Sequence, residues 1–213
     1  MTTNSEHLPK QNNQQFFALC GIIGPILFML LIVIEGFIRP GYSHIFYAIS
    51  DLGLGPYAII QNINFIIFGL LSIGFAIGLG ANLPYRAGKA VKWLVIIFGV
   101  GTILAGVTLI FSAPGVIYAS DVIGHIIVAL ISFLAIIVAQ FLTWQALRES
   151  DDIIWKHYRI YSFISGLLTI ITFLQFISPI LPAYIGLNER LFVGVFLVWI
   201  EVTALKLYYN GNH

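Results

Sequence analysis

Apolar residues run far enough to cross a bilayer six times along the chain, at 16–38, 57–80, 92–112, 122–147, 158–180 and 187–209. A hydrocarbon core about 30 Å thick takes roughly 20 apolar residues wound as a helix. Proline, glycine and charge break the runs apart, in "RPGYS", "ANLPYRAGK", "SAPG", "RESDD" and "SPILPAYIGLNER". The pattern predicts an all-α integral membrane protein, a six-transmembrane-helix bundle over 16–209. A polar tail, 1–15, precedes it and a short tail, 210–213, follows. Connections this short leave no room for a separate soluble domain. The first run is too long for a signal-peptide core and no small-residue cleavage site closes it, so it is expected to remain as the first span. No internal repeat is visible, which gives no ground for an inverted-repeat transporter.

Composition narrows the function classes. Only 9% of residues are charged, against about 25% in soluble domains. A net charge of +1 supplies no basic cluster for a phosphate backbone, which argues against nucleic acid. Cys20 is the one cysteine and lies inside an apolar run, so it reads as a small buried hydrophobe. No His/Cys zinc pattern appears, and neither a metal nor another cofactor is expected. A retinal Schiff base needs a lysine in mid-bundle, whereas every lysine here falls near or beyond the cytoplasmic boundary.

The basic residues set an orientation. With both termini cytoplasmic, Lys10, Arg86, Lys89, Lys92, Arg148, Lys156, Arg159 and Lys206 lie at inner ends, and only Arg39 and Arg190 lie outside. That asymmetry follows the positive-inside rule. It also brings polar groups from five helices to one depth at the outer face. Glu35 and Arg39 end the first helix; Ser43, His44, Ser50 and Asp51 occupy the first outer loop; Asn62 and Asn64 open the second helix. Asp121 and His125 open the fourth, Gln175 and Ser178 close the fifth, and Asn188, Glu189 and Arg190 open the sixth.

An unpaired ionisable group in hydrocarbon costs about 2.5–3.5 kcal/mol on insertion scales. Pairing Arg39 and Arg190 with Glu35, Asp51 and Glu189 is the economical arrangement. Local readings compete with a shared site. Glu35 and Arg39 are spaced for an i, i+4 salt bridge, Ser50 and Asp51 for a cap, and Asn188 and Glu189 for a helix start. His125 can simply bond a neighbouring carbonyl, and His44 in its loop reads as incidental. Gly69, Gly74 and Gly78, with Gly99, Ala105 and Gly106, read as surfaces for close helix packing. Tyr208 and Tyr209 suit an interfacial aromatic belt. Glu201 shares a helical face with Arg190 about 16 Å nearer the cytoplasm, where Gln140 could approach it.

"PGYSHIFYAISDLG", "NINFIIFGLL", His125 and "NERLFVGVFLVW" together resemble a prokaryotic membrane-protein family known as domain of unknown function 998, over about residues 20–207. The resemblance implies a six-span bundle with no assigned activity. It carries over Gly41, Tyr42, Ser43, Ser50, Asp51, Leu52, Gly53, Asn62, Gly69, His125, Glu189 and Arg190. The chain departs from the pattern after the third span, where "LIFSAPG" offers no acidic residue before Asp121.

Three functions remain open. In the first, an outward-facing pocket binds or processes an amphipathic, lipid-like ligand, with Asp51, His125 and Glu189 as an acid/base group. Glu35, Arg39, Tyr42, Ser43, Ser50, Asn62 and Arg190 would bind the ligand, Arg190 as an anion clamp. In the second, a small proton-coupled permease uses Glu201 and the outer cluster as successive stations. In the third, an accessory protein uses the cluster only to lock its helices or dock a partner. Each places the chain in a prokaryotic plasma (inner) membrane, among membrane lipids, as a monomer or an oligomer.

Overall fold

Among lipid or other helices an apolar run finds no water for its N–H and C=O groups, so it closes its hydrogen bonds on itself. Each of the six runs does so in the computed structural model, which describes residues 11–83, 85–110, 119–149, 153–178 and 182–210. Lys10, the "SAPG" turn, most of "RESDD", residues 211–213 and the side chains of Asp121 and Lys156 lie outside the described residues. The helices are α1 (Gln11–Ile38), α2 (Ala58–Ala81), α3 (Tyr85–Ile110), α4 (Ala119–Ala146), α5 (Ile153–Ile177) and α6 (Ile185–Asn210). Short 3-10 turns cover Ser50–Gly53, Leu147–Glu149 and Pro182–Tyr184. Six helices are long and apolar enough to span a membrane, and the protein is a multi-pass membrane protein.

Every helix but α2 starts earlier than the apolar pattern indicates, α1, α3 and α5 by five residues or more. α1 begins at Gln11, within the stretch expected as a tail, and Gln14 Nε2 donates to the Leu207 carbonyl at 3.2 Å. α3 begins at Tyr85, so Arg86, Lys89 and Lys92 ride on its first turns. A helix can outrun its apolar core wherever long polar side chains reach back to water.

Each helix packs on the next, and α6 closes the ring on α1 while also touching α2. Edge-to-face aromatic pairs fill the interior: Phe68–Phe98 at 5.8 Å, Phe98–Phe196 at 5.4 Å and Phe133–Phe192 at 4.7 Å between centroids. Trp199 is fully buried against Phe75, its indole N–H donating to Ser162 Oγ at 2.9 Å. Leu30, Leu70, Ile97, Ile127, Ile171 and Val198 face outward. An apolar coat of this kind is a liability in water and is stable in lipid. α4 and α5 are the least covered helices, with 28% of each span buried.

The start of α1 meets the end of α6, so both described termini share one end of the bundle. The α1–α2 loop and the starts of α4 and α6 occupy the opposite end, called the loop end below.

Candidate functional site

The polar loop between α1 and α2 is irregular backbone at the edge of a membrane, and its carbonyls need donors. Gly41 (φ 72°) and Gly55 (φ 74°) supply left-handed turns. Two arginines supply many of the donors. Arg39 donates to the Asp51 carbonyl. Arg190 donates to the Tyr47 and Gly186 carbonyls, at 3.1 and 2.9 Å, and to the Tyr42 hydroxyl at 2.6 Å. Tyr42 passes its own proton to the Ala48 carbonyl at 2.8 Å, and both guanidiniums lie within 5.8 Å of its ring centroid.

The carboxylates and amides complete this fastening. Glu189 Oε2 accepts the Ile49 N–H at 2.5 Å, and Asp51 Oδ2 accepts the Ala48 N–H at 2.9 Å. Ser43 Oγ accepts the Ile45 N–H at 3.3 Å, and Asn62 Nδ2 donates to the Gly53 carbonyl at 3.1 Å. Gly53 has no room for a side chain, because a Cβ would stand 2.6 Å from Asn62 Oδ1 and 2.7 Å from Leu109 Cδ1. The Gly-Tyr-Ser, Ser-Asp-Leu-Gly and Glu-Arg motifs thus stitch the loop onto α2 and α6.

The expected ion pairs do not form among the described residues. Arg39 and Arg190 are engaged by backbone carbonyls and Tyr42, rather than by Glu35, Asp51 or Glu189. The loop's unsatisfied carbonyls compete for the same guanidinium protons, and they lie in the geometry the forks can reach.

His44 is not incidental either. Its ring packs on Gly36, Phe37 and Tyr42. Burial first, and then the Arg190 charge, push its imidazole below the ordinary range. Burial likewise raises the Tyr42 phenol, partly offset by the hydrogen bond from Arg190, so Tyr42 keeps its proton at neutral pH. Changing Tyr42 to Phe removes one donated and one accepted bond. We expect a loss of about 1–2 kcal/mol, read as a lower thermal midpoint and faster amide exchange across Ala48–Gly53.

Beneath the loop a cavity of about 450 Å³ opens among the 3-10 turn, α2, α3, α4, α5 and α6. Phe65, Phe133, Phe173 and Phe176 form apolar walls, and Ile126, Leu130 and Ile177 stand at its lipid-accessible side. Its polar lining is Ser50, Thr102, His125, Ser132 and Glu189. Thr102 and Ser132 donate their protons to carbonyls of their own helices, Phe98 and Val128, both at 2.8 Å. His125 Nδ1 faces the Ala105 carbonyl at 3.2 Å. A carbonyl only accepts, so this nitrogen carries the proton and, in the neutral ring, Nε2 offers a lone pair. The cavity is therefore rich in acceptors, and among the described residues no lysine or arginine lines it.

Of the residues singled out in the sequence, Ser50, His125 and Glu189 meet at this cavity. Arg39, Tyr42, Ser43, Asp51, Asn62 and Arg190 belong to the loop fastening. Gln175 Nε2 donates to Asn188 Oδ1 at 3.1 Å, joining α5 to α6. Glu35 is fully buried and neither of its oxygens has a hydrogen-bond partner among the described residues. Gln140 makes no hydrogen bond to Glu201, for both its amide atoms are buried without partners among the described residues. Sequence reasoning passed over Thr102, Ser132 and Gln61. A polar residue in mid-span was the available signal for each.

Residues 22–206 match the family described as "Protein of unknown function (DUF998)". The chain belongs to this family. The match takes in the DUF998 motifs that fasten the loop, as well as Ser50, His125 and Glu189 at the cavity. No curated protein and no solved structure matches the chain.

Proposed function

We propose that this DUF998 protein binds an amphiphile from the bilayer in the α2–α6 cavity, with a head group that donates hydrogen bonds and is neutral or cationic. The observation that carries the reading is the acceptor-rich lining of an otherwise apolar cavity, with no arginine among its described residues. A pocket of roughly 300–1,000 Å³ with a few convergent polar groups is the usual form of a small-molecule site. Glu189, the Nε2 of His125 and the Thr102 and Ser132 oxygens would receive an ammonium or hydroxyl head, while Ser50 can also donate. An alkyl chain would lie among the phenylalanines and leave between α4 and α5. In this reading Arg190 and Asp51 serve the loop's architecture rather than the ligand. The basic-residue asymmetry supports a reading in which the loop end, and with it this site, faces the extracytoplasmic side of a plasma membrane.

The test is a panel of amphiphiles sharing one alkyl chain, with ammonium, hydroxyl, carboxylate or phosphate heads, titrated into purified protein in nanodiscs. Ammonium and hydroxyl heads are expected to bind, and carboxylate and phosphate heads to bind at least tenfold more weakly. Glu189→Gln keeps an oxygen for the Ile49 N–H and removes the charge. It should weaken the ammonium probe about tenfold or more, the worth of one charge-assisted hydrogen bond. Ala129→Phe, which fills the cavity, should abolish binding of the whole panel. Preference for phosphate would overturn the head-group assignment, and binding untouched by Ala129→Phe would overturn the site.

A further inference from the structure

A second group of buried polar atoms lies away from the cavity, where α1 and α2 meet at the loop end. Contacts fix the register of this seam. Phe17 meets Gly78, Cys20 meets Gly74, and Phe28 meets Asn64 and Phe68. The helices are antiparallel, so moving about two turns along α1 from Phe28 to Glu35 brings the chain level with the first turn of α2, which holds Gln61. Phe28, Ile32 and Glu35 form one stripe of α1, and Gln61, Asn64 and Phe68 form one stripe of α2. All of them are buried.

Asn64 decides how Gln61 is turned. Its Nδ2 donates to the Phe28 carbonyl at 3.0 Å and to Gln61 Oε1 at 3.2 Å. That leaves Gln61 Nε2 and Asn64 Oδ1 without partners, alongside both oxygens of Glu35. The unpartnered set is three oxygens and one amide NH2, with one carboxylate and no cation in ion-pairing range among the described residues. Arg39, one turn along α1, is bonded to the Asp51 carbonyl, and α2 contains no basic residue. Natively buried polar atoms are rarely left in this condition. A groove of about 570 Å³, lined by Gly36, Arg39, Tyr42 and His44, opens beside the chain neighbour of Glu35.

We infer that Glu35, Gln61 and Asn64 form a site for a small monovalent cation, entered from this groove and independent of the amphiphile cavity. Carboxylate and amide oxygens are the ligands hard cations take. One carboxylate balances one charge, whereas sites for divalent ions commonly gather several. Gln61 Nε2, which no acceptor among the described residues engages, leaves the amide free to reorient as the ion enters. The same chemistry serves a hydrated proton or an alkali ion, and the experiment separates them.

Thermal unfolding of the purified full chain in nonionic detergent is measured in Na⁺ and in choline at equal ionic strength, across a pH series. The wild type is expected to gain about 5–10 °C at a hundredfold excess of the ion over its Kd. Stabilisation by Na⁺ at fixed pH assigns an alkali ion; stabilisation by acid in choline alone assigns the proton. Glu35→Gln, a neutral isostere, should fold and lose the response. Other titratable or charged groups lie at the same loop end: Arg39 on α1, His44 against Gly36, Asp51 on the 3-10 turn, and Glu189 and Arg190 on α6. Their contributions persist in Glu35→Gln, and His44→Asn should leave the response intact. Should Glu35→Gln not fold, Gln61→Ala is expected to raise the half-saturating ion concentration at least tenfold. An identical response in the wild type and in Glu35→Gln, or none in the wild type, overturns the inference.

Discussion

Changing Arg190 to Ala is expected to lower the thermal midpoint by about 10 °C, with a smaller fall for Arg190→Lys. The side chain donates to two carbonyls and to the Tyr42 hydroxyl, and it lies 5.7 Å from the Tyr42 ring. Hydrogen bonds from a charged donor contribute about 1.5–3 kcal/mol each. They are not additive here, because Tyr47 is exposed and its carbonyl can turn to water. A net loss of about 3 kcal/mol corresponds to roughly 6–12 °C in a chain of this size. Lysine keeps the charge but not the fork, so it can serve at most part of this set. Unfolding in detergent, followed by tryptophan fluorescence, checks the midpoint. The variant also separates two roles for the residue. A fastener loses stability in proportion to the bonds removed, whereas an anion clamp would leave the midpoint unchanged and alter only ligand preference.

A larger effect is expected from Gly69→Val. Gly69 and Gly99 face each other where α2 crosses α3, and a Cβ on Gly69 would overlap the Gly99 carbonyl and Ile103. A Cβ on Gly99 would stand 2.7 Å from the Gly69 carbonyl. The obstacle is backbone on both sides, so no rotamer change relieves it and the helices must separate. Overpacking of a tight interior costs about 1–3 kcal/mol and sometimes more. A branched side chain at a helix crossing belongs at the upper end, at about 3 kcal/mol or beyond. Gly194 on α6 is the control, because a Cβ there meets nothing within 4 Å. Gly194→Ala should be neutral, or stabilise by up to about 1 kcal/mol through helix propensity. Equal behaviour of the two variants would mean that the α2–α3 crossing is not held at glycine distance.

Much of the fold was legible along the chain, because its signal is local. A run of about 20 apolar residues dictates a spanning helix whatever surrounds it, and all six runs fold as helices. The small residues of α2 and α3 also announced close packing, though not its partners. Gly69 turns to Gly99, whereas Gly74 and Gly78 turn to Cys20 and Phe17 on α1. The convergence of Ser50, His125 and Glu189 followed from counting spans and placing each residue by depth. All three line one cavity.

Partner choice was the illegible part. Arg190 and Glu189 are adjacent in sequence, yet the arginine serves the Tyr42–Tyr47 segment and the glutamate holds the Ile49 N–H. Pairing by charge alone overlooked backbone carbonyls, which no sequence marks as available or satisfied. Gln61 drew no attention for a related reason. Its donor is left unpartnered by the turn Asn64 imposes, and only the register of α1 on α2 brings it level with Glu35.

The sequence alone determined the solvent of this protein, the number and length of its spans, and the region where its polar residues gather. Each of these depends on the free energy of moving a short segment from water to lipid, a property the segment carries with it. Tertiary structure decided which acceptor each donor meets, that the cavity is rich in acceptors, and that Glu35 is left without a partner. Those outcomes depend on distances of a few ångströms between residues far apart in the chain, set only when the six helices close around one another.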